Sequence, residues 1–454
     1  MRNPTFTGIV SRPRRALGVA AVAGLAGLGL AQAASAAAVD TAAPIATAPA
    51  ADSTEVSSVK IDAKRVTDPS SSKFTAPLLD TPRSVTVIPS TIIEQTAATS
   101  LQDILRTSPG ITFGAGEGGQ PLADRPFIRG QSSGNNVFVD GVRDTGGQTR
   151  EGFNLEQVEV IKGPDSVYSG RGSGGGSINL SSKTPKVESF LGGSAAAGTD
   201  QYYRVTADGN YGFAKNAAIR LNLMATGGDT PGRDGVGFKR WGVAPSLAFG
   251  IDTDTQATLS YYHLDTDQDP DYGIPLASKR TWGVAGTDSR TRPASGILDV
   301  SRDAYYGLER DWMKTKADIA TVAVRHEIND DLAIRQVVRY GKTRNDYLVT
   351  NPGDGGAAQF VAGEWWMKRG TKSRWNETTT TAFVTDLTGK FELAGLKNRF
   401  NIGVELSREV NDNATYVIFT TAGSACPAGF TGAGTGDCTR LYAPNPGDAR
   451  TGVI

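Results

Sequence analysis

The chain has 454 residues, with 47 basic and 47 acidic side chains and therefore a formal net charge of zero. That balance provides neither a basic face for nucleic acid nor an acidic tail. Only two histidines, His263 and His326, and two cysteines occur, so no catalytic set and no resident metal centre is expected.

Arg2, Arg12, Arg14 and Arg15 introduce an uninterrupted Ala, Gly, Val and Leu run from Ala16 to Leu30, followed by the small-x-small pattern Ala34-Ser35-Ala36. A run of about 15 residues is short of the roughly 20 that a spanning helix needs, so residues 1–36 read as a secretory signal peptide. An exported chain without a second long apolar run is periplasmic, secreted or an outer-membrane barrel, and a barrel must show itself as alternating strands. Residues 37–72 form a linker that begins rich in Ala, Pro and Thr. Within it Thr54-Glu55-Val56-Ser57-Ser58-Val59 has an alternating texture that could add to another protein's sheet edge; plain linker is the alternative.

Residues 73–186 change to a compact α/β texture. Ser84 to Pro89 alternates like a strand. Ser100 to Leu105 predicts a short helix with Ser100 at the N-cap and Asp103 three positions on, stopped by Pro109-Gly110. Pro126 to Gly130, Val137 to Gly141, Gln157 to Gly163 and Ser177 to Leu180 read as further strands.

From residue 187 to 454 alternation takes over. Ile219, Leu221 and Leu223 interleave with Arg220 and Asn222; Leu259 and Tyr261 with Thr258 and Ser260; Ile334 and Val338 with Arg335 and Arg339; Ile402, Val404 and Leu406 with Asn401 and Glu405. Strands of about ten residues with one apolar and one polar face suit a barrel that turns lipid-facing residues outward. A β-sandwich would fill its inner face with hydrophobes, not with Arg220, Arg335 and Arg339. Tight Asp/Asn turns at 251–255 and 328–332 contrast with long connections at 265–311 and 350–374.

Three motifs compete for attention. Two G-x-G-x-x-G stretches, beginning at Gly114 and Gly170, lead into prolines and a strand, so neither opens the helix that a phosphate site requires. Asp265, Asp267, Asp269 and Asp271 resemble the start of a calcium loop. However, Pro270 stands at the sharp-turn glycine position and Leu276 at the bidentate glutamate position, which leaves a solvated acidic loop or a looser cation site. Cys426 and Cys438, close together in an exported chain, are expected to form a disulfide that constrains a glycine-rich loop.

In order along the chain stand Asp80-Thr81-Pro82-Arg83-Ser84-Val85-Thr86-Val87-Ile88, Ser108-Pro109-Gly110, Ile128-Arg129-Gly130, Val137-Phe138-Val139-Asp140-Gly141, Val158-Glu159-Val160-Ile161-Lys162-Gly163-Pro164 and Gly174-Gly175-Gly176-Ser177-Ile178-Asn179. This ordered set, over about 110 residues, resembles the plug domain of TonB-dependent siderophore receptors. Lys73-Phe74 to Leu79 and Asp269-Pro270-Asp271-Tyr272-Gly273-Ile274-Pro275 are most similar to the catecholate branch.

The resemblance implies an α+β plug domain (73–186) followed by an antiparallel transmembrane β-barrel of 22 strands. The pattern after residue 187 supplies about nine or ten strands, so residues 187–454 are expected to be the N-terminal part of that barrel. It further implies an outer-membrane receptor, not an enzyme. Its partners would be a ferric siderophore, TonB with its ExbB–ExbD inner-membrane complex, and outer-membrane lipid, with Thr54 to Val59 as the TonB box. No cofactor is implied, because the siderophore itself fills the iron's coordination sphere. In the family the plug's apical loops meet the ligand, here 115–125 and 142–153. Arg125, Arg143 and Arg150, with Gln148 and Phe153, are the matching candidates. For each arginine a plug-to-wall ion pair is an equal alternative.

Overall fold

In the computed structural model the described residues are 69–448, apart from 72, 115–123, 167–169, 171–173, 278–295, 298–299, 353–357, 418–425 and 432–436. The expected signal peptide, most of the linker and Thr54 to Val59 lie outside them.

The plug begins with β1 (Ser84–Pro89) and α1 (Ser90–Gln95), then α2 (Leu101–Leu105). α2 has the expected cap. The Asp103 backbone N–H donates to Ser100 Oγ at 3.2 Å, and the Ser100 N–H donates back to Asp103 Oδ2 at 3.3 Å. Partial burial works against the Asp103 charge, yet the hydrogen bonds from Ser100 and Thr99 hold its carboxyl below the usual range. Leu101, Ile104 and Leu105, spaced one, four and five along the helix, are all buried. α1 was not legible, being only six residues with no side-chain cap.

Seven more plug strands follow: β2 (Ile111–Phe113), β3 (Pro126–Ile128), β4 (Gln131–Ser132), β5 (Val137–Val139), β6 (Val142–Arg143), β7 (Leu155–Lys162) and β8 (Gly176–Ser182). They form one sheet in the order β1-β7-β8-β5-β6, parallel only between β5 and β8, and a small β2-β3-β4 sheet. Asp140 (φ 51°) and Gly141 (φ 81°) make the two-residue β5–β6 turn, a pair of positive φ values that an Asp-Gly sequence adopts readily. The plug core joins Ile88, Ile93, Leu101, Ile104 and Leu105 to Ile128, Val158, Val160, Ile178 and Leu180. Each fully buried side chain of this kind contributes roughly 1.5–3 kcal/mol.

The second region is a meander: β9 (Phe190–Ala197), β10 (Tyr203–Ala214), β11 (Ala217–Asp229), β12 (Gly237–Phe249) and β13 (Thr255–Gln268). A short hairpin, β14 (Leu276–Ala277) and β15 (Gly296–Ile297), interrupts it. It continues with β16 (Trp312–Asn329), β17 (Leu332–Pro352), β18 (Gln359–Val361), β19 (Glu364–Leu393), β20 (Leu396–Ala414) and β21 (Asp437–Arg440). Nine of these are long strands among the described residues, each antiparallel to the next. They make a partial barrel, with β9 and β20 at its edges.

In β11, Ile219, Leu221 and Leu223 are exposed while Arg220, Asn222 and Met224 are buried, so the apolar face looks outward. No described helix is long and apolar enough to cross a membrane.

Strand length departs from the sequence reading. β16, β17 and β19 have 18, 21 and 30 residues, not about ten. Most of the connection expected at 350–374 is in fact hairpin, since β19 already begins at Glu364. At the level of Arg344 and Glu377 the outward face becomes charged, with the pair 2.9 Å apart. Beyond the hydrocarbon belt the ladder continues without an apolar face, so the hydrophobic signal stops before the strand does.

Candidate functional site

The inward arginines of the wall meet the plug. Arg204 on β10 and Arg240 on β12 both reach Glu151, at 3.0 and 2.9 Å, and the Glu151 side chain is fully buried. Arg339 on β17 donates to Val139 O at 2.8 Å and lies 3.4 Å from the Asp140 carboxylate, while Arg335 donates to Asp140 O at 3.0 Å. Arg220 on β11 donates to Thr184 O at 2.8 Å and stands 3.5 Å from Glu156. Three plug acids are thus held by arginines from four strands of the wall.

Phe153 supplies the apolar counterpart. Its ring stacks on Tyr262 with centroids 5.7 Å apart and packs with Met224, Ala244, Leu264 and Ala317. Gly242 permits this approach, because a Cβ there would lie 2.7 Å from the Phe153 ring.

Of the five residues read as ligand contacts, four are buried: Arg143, Gln148, Arg150 and Phe153. Arg143 donates to Asn135 O and, at 2.9 Å, to Asn136 Oδ1, with its guanidinium over the Phe138 ring at 4.8 Å. Arg150 lies 2.8 Å from Asp144 and 3.0 Å from Asp124, and Gln148 Nε2 donates to Asp144 at 3.1 Å. Burial opposes the Arg150 charge, but Asp144 and then Asp124 outweigh it and hold the guanidinium protonated. Burial also pushes the Asp124 carboxyl up to about 6, against the pull of Arg150. These side chains tie the plug apex to itself and to the wall in this structure. Arg125 is the half-exposed member of the set.

The acidic run is likewise occupied. Asp271 receives both Nε and Nη2 of Arg233, at 2.7 and 2.8 Å, and Asp267 and Asp265 face Lys314 and Lys316 at 3.4 and 3.8 Å. Among the described residues no group of three His, Cys, Asp or Glu could hold a metal ion. At the same end Cys426 and Cys438 are disulfide-bonded, Cα–Cα 4.8 Å, and β21 adds to β19.

Two arrangements escaped the sequence reading. One is the double clamp on Glu151, since a lone Glu beside Arg150 carries no local signal. The other joins the end of the linker to the plug: the Ser70 N–H donates to Glu159 Oε1 at 2.5 Å, and Ser70 Oγ is 2.5 Å from Ser181 Oγ.

An α+β domain fastened by ion pairs to the inner face of an outward-apolar antiparallel sheet defines a plugged outer-membrane β-barrel. The family described as TonB-dependent Receptor Plug Domain matches residues 77–177. The chain is 43% identical over 389 residues to the probable TonB-dependent siderophore receptor PiuA of Acinetobacter baumannii, covering 84% of this chain and 51% of that protein. It is 36% identical over 350 residues to the catecholate siderophore receptor Fiu of Escherichia coli K12, covering 75% and 45%. The crystal structure of the A. baumannii PiuA receptor superimposes with a TM-score of 0.74 at 41% identity, over 86% of this chain and 55% of that one. Residues 77–177 thus carry a TonB-dependent receptor plug domain, and most of the chain is similar to TonB-dependent receptors. It spans about half the length of the curated relatives it matches.

Proposed function

We propose that this chain is part of an outer-membrane receptor that binds ferric siderophores, of the catecholate type, and imports them with energy transmitted by TonB. The observation that carries this reading is the plug itself, seated against the wall through Glu151, Asp140 and Glu156. A passive barrel has no use for such a domain. A TonB-dependent receptor for another ligand is the second reading, and ligand binding separates the two. Iron arrives inside its chelate as cargo. The outward face, with exposed Leu221, Leu259, Val338 and Tyr340, suits outer-membrane lipid.

Thr54 to Val59 is proposed as the TonB box, an added strand for TonB, which is itself driven by ExbB–ExbD. Proline at Val56 or Val59 removes a ladder donor. Each variant of the intact receptor is expected to keep ferric-siderophore binding and to lose uptake; unchanged uptake in both would move the box elsewhere. For the ligand, equilibrium binding of a panel of ferric catecholates and ferric hydroxamates to the intact receptor is the test. Selective binding of the catecholates supports the reading, and binding of no ferric chelate would overturn it.

A further inference from the structure

The plug meets the wall along two fronts, and they differ in what separation would leave behind. On the β10–β13 front the carboxylate of Glu151 is held by Arg204 and Arg240, both from the wall, and among the described residues no plug side chain bonds it. Moving it off the wall would leave a buried acid without a cation. Phe153 is keyed beside Gly242 and Tyr262 on the same front. The plug-to-wall connection is also strapped down there. The Asn210 side chain donates to Lys186 O and to Glu188 O, each at 2.6 Å, and accepts from the Lys186 N–H at 3.0 Å. Lys183 adds an ion pair with Asp208 at 3.0 Å.

On the front formed by β17 and β19 each charged group has a second partner on its own side. The Asp140 carboxylate faces Arg339 at 3.4 Å, but it accepts closer bonds from the N–H and the hydroxyl of Ser182 within the plug, at 2.8 and 2.9 Å. Arg335 lies 3.6 Å from Asp386 of the wall, and Arg339 Nε donates to Thr321 Oγ1 at 3.0 Å. The other polar bonds of these two arginines across this front run to main-chain carbonyls, those of Val139, Val142 and Asp140. Water replaces such neutral acceptors at little net cost. The apolar contact is small, Val142 against Val337, Ala382 and Val384. Towards the apical loops Gly146, Gly341, Thr343, Thr378 and Thr380 line a cavity on this front, and towards the short turns Arg335 borders a larger one beside Ser70 and Phe74 of the linker.

We infer that the passage for the ligand opens between the β5–β6 turn and the β17–β19 wall, while the β10–β13 front stays closed and serves as the hinge. This inference rests on the reading of the chain as part of a TonB-energised receptor and deepens it by naming the side that moves. Asp140 and Gly141, part of the ordered motif in the sequence, then form the turn that Arg335 and Arg339 hold at rest and release on opening. Parting this front leaves Asp140 with Ser182, Arg335 with Asp386 and Arg339 with Thr321, so no buried charge is stranded on either side.

The test uses the intact receptor in iron-starved cells offered a ferric tris-catecholate, with and without functional TonB. Four variants each add one thiol at a buried wall position: Val337→Cys and Thr343→Cys on the proposed opening, Met224→Cys and Ala244→Cys on the hinge front. Labelling by a membrane-impermeant maleimide is expected to be at least about fivefold faster with TonB than without it at the first two, and unchanged at the others. A Cβ on Gly146 would lie 2.8 Å from Thr343 Cβ. A shift of roughly 1 Å brings that pair to disulfide spacing. The oxidised Gly146→Cys/Thr343→Cys variant is expected to bind the chelate but to take it up at least about tenfold more slowly than wild type treated alike, and to recover on reduction, which separates a lock from misfolding. TonB-dependent labelling on the hinge front, equal rises on both fronts, no rise at any position while uptake proceeds, or wild-type uptake by the oxidised variant would each overturn the route and leave the receptor reading standing. Absence of TonB-dependent uptake by the wild type would overturn the receptor reading and the route together.

Discussion

Glu151→Ala is expected to unseat the plug. The carboxylate is fully buried and receives Arg240 at 2.9 Å and Arg204 at 3.0 Å, from two different barrel strands. Removing it leaves two inward guanidiniums facing each other without a counter-charge, and breaking a buried pair in this way costs about 3–5 kcal/mol. The loss falls on the plug–wall contact, because the plug's own core, from Ile88 to Leu180, does not include Glu151. Amide hydrogen exchange in β7 and β8 is therefore expected to rise little, while permeability of the receptor to small solutes rises strongly. Glu151→Gln, which keeps the shape but not the charge, is expected to fall between the two. Permeability unchanged in Glu151→Ala would show that the remaining contacts of Asp140, Glu156 and Phe153 suffice.

The second large effect is expected where the linker meets the plug. Glu159 is fully buried. It accepts from the Ser70 N–H at 2.5 Å, from Gln157 Nε2 at 2.7 Å and from Asn179 Nδ2 at 3.2 Å. Pro69, Ser70, Ser71, Phe74 and Thr75 border a cavity of about 710 Å³ at the short-turn end. A pull on the linker would reach β7 and β8 first through Ser70. Glu159→Ala strands three donors, each at about 1–3 kcal/mol where it stays dry. The variant is expected to bind ferric siderophore near the wild-type affinity, to become sensitive to protease near residue 70, and to take up iron about tenfold more slowly or worse. Wild-type uptake would show that force enters the plug elsewhere.

The elements that sequence pattern revealed are those whose physics is local. The Ser100–Asp103 cap announces α2, and outward Ile219, Leu221 and Leu223 against inward Arg220 announce a lipid-facing strand. What stayed hidden depends on distance in sequence. Arg240 finds Glu151 from 89 positions away, and Arg339 finds Val139 from 200. The three inward arginines noted from alternation were visible as inward, but not their partners. The same limit explains the apical loop. Arg143 and Arg150 have the right chemistry for an anion, yet Asn136, Asp124 and Asp144 lie close enough to engage them first. The upper half of β19 was missed for another reason, since beyond the bilayer no apolar face marks a strand.

Uptake is the readout of energised import. Cells carrying the intact receptor, starved of iron and offered a radiolabelled ferric catecholate, are compared with and without functional TonB. Accumulation inside the cells with TonB, and surface binding without accumulation in cells lacking it, is the expected result. Equal accumulation in both strains would contradict it, and would mark the protein as a passive barrel despite its plug.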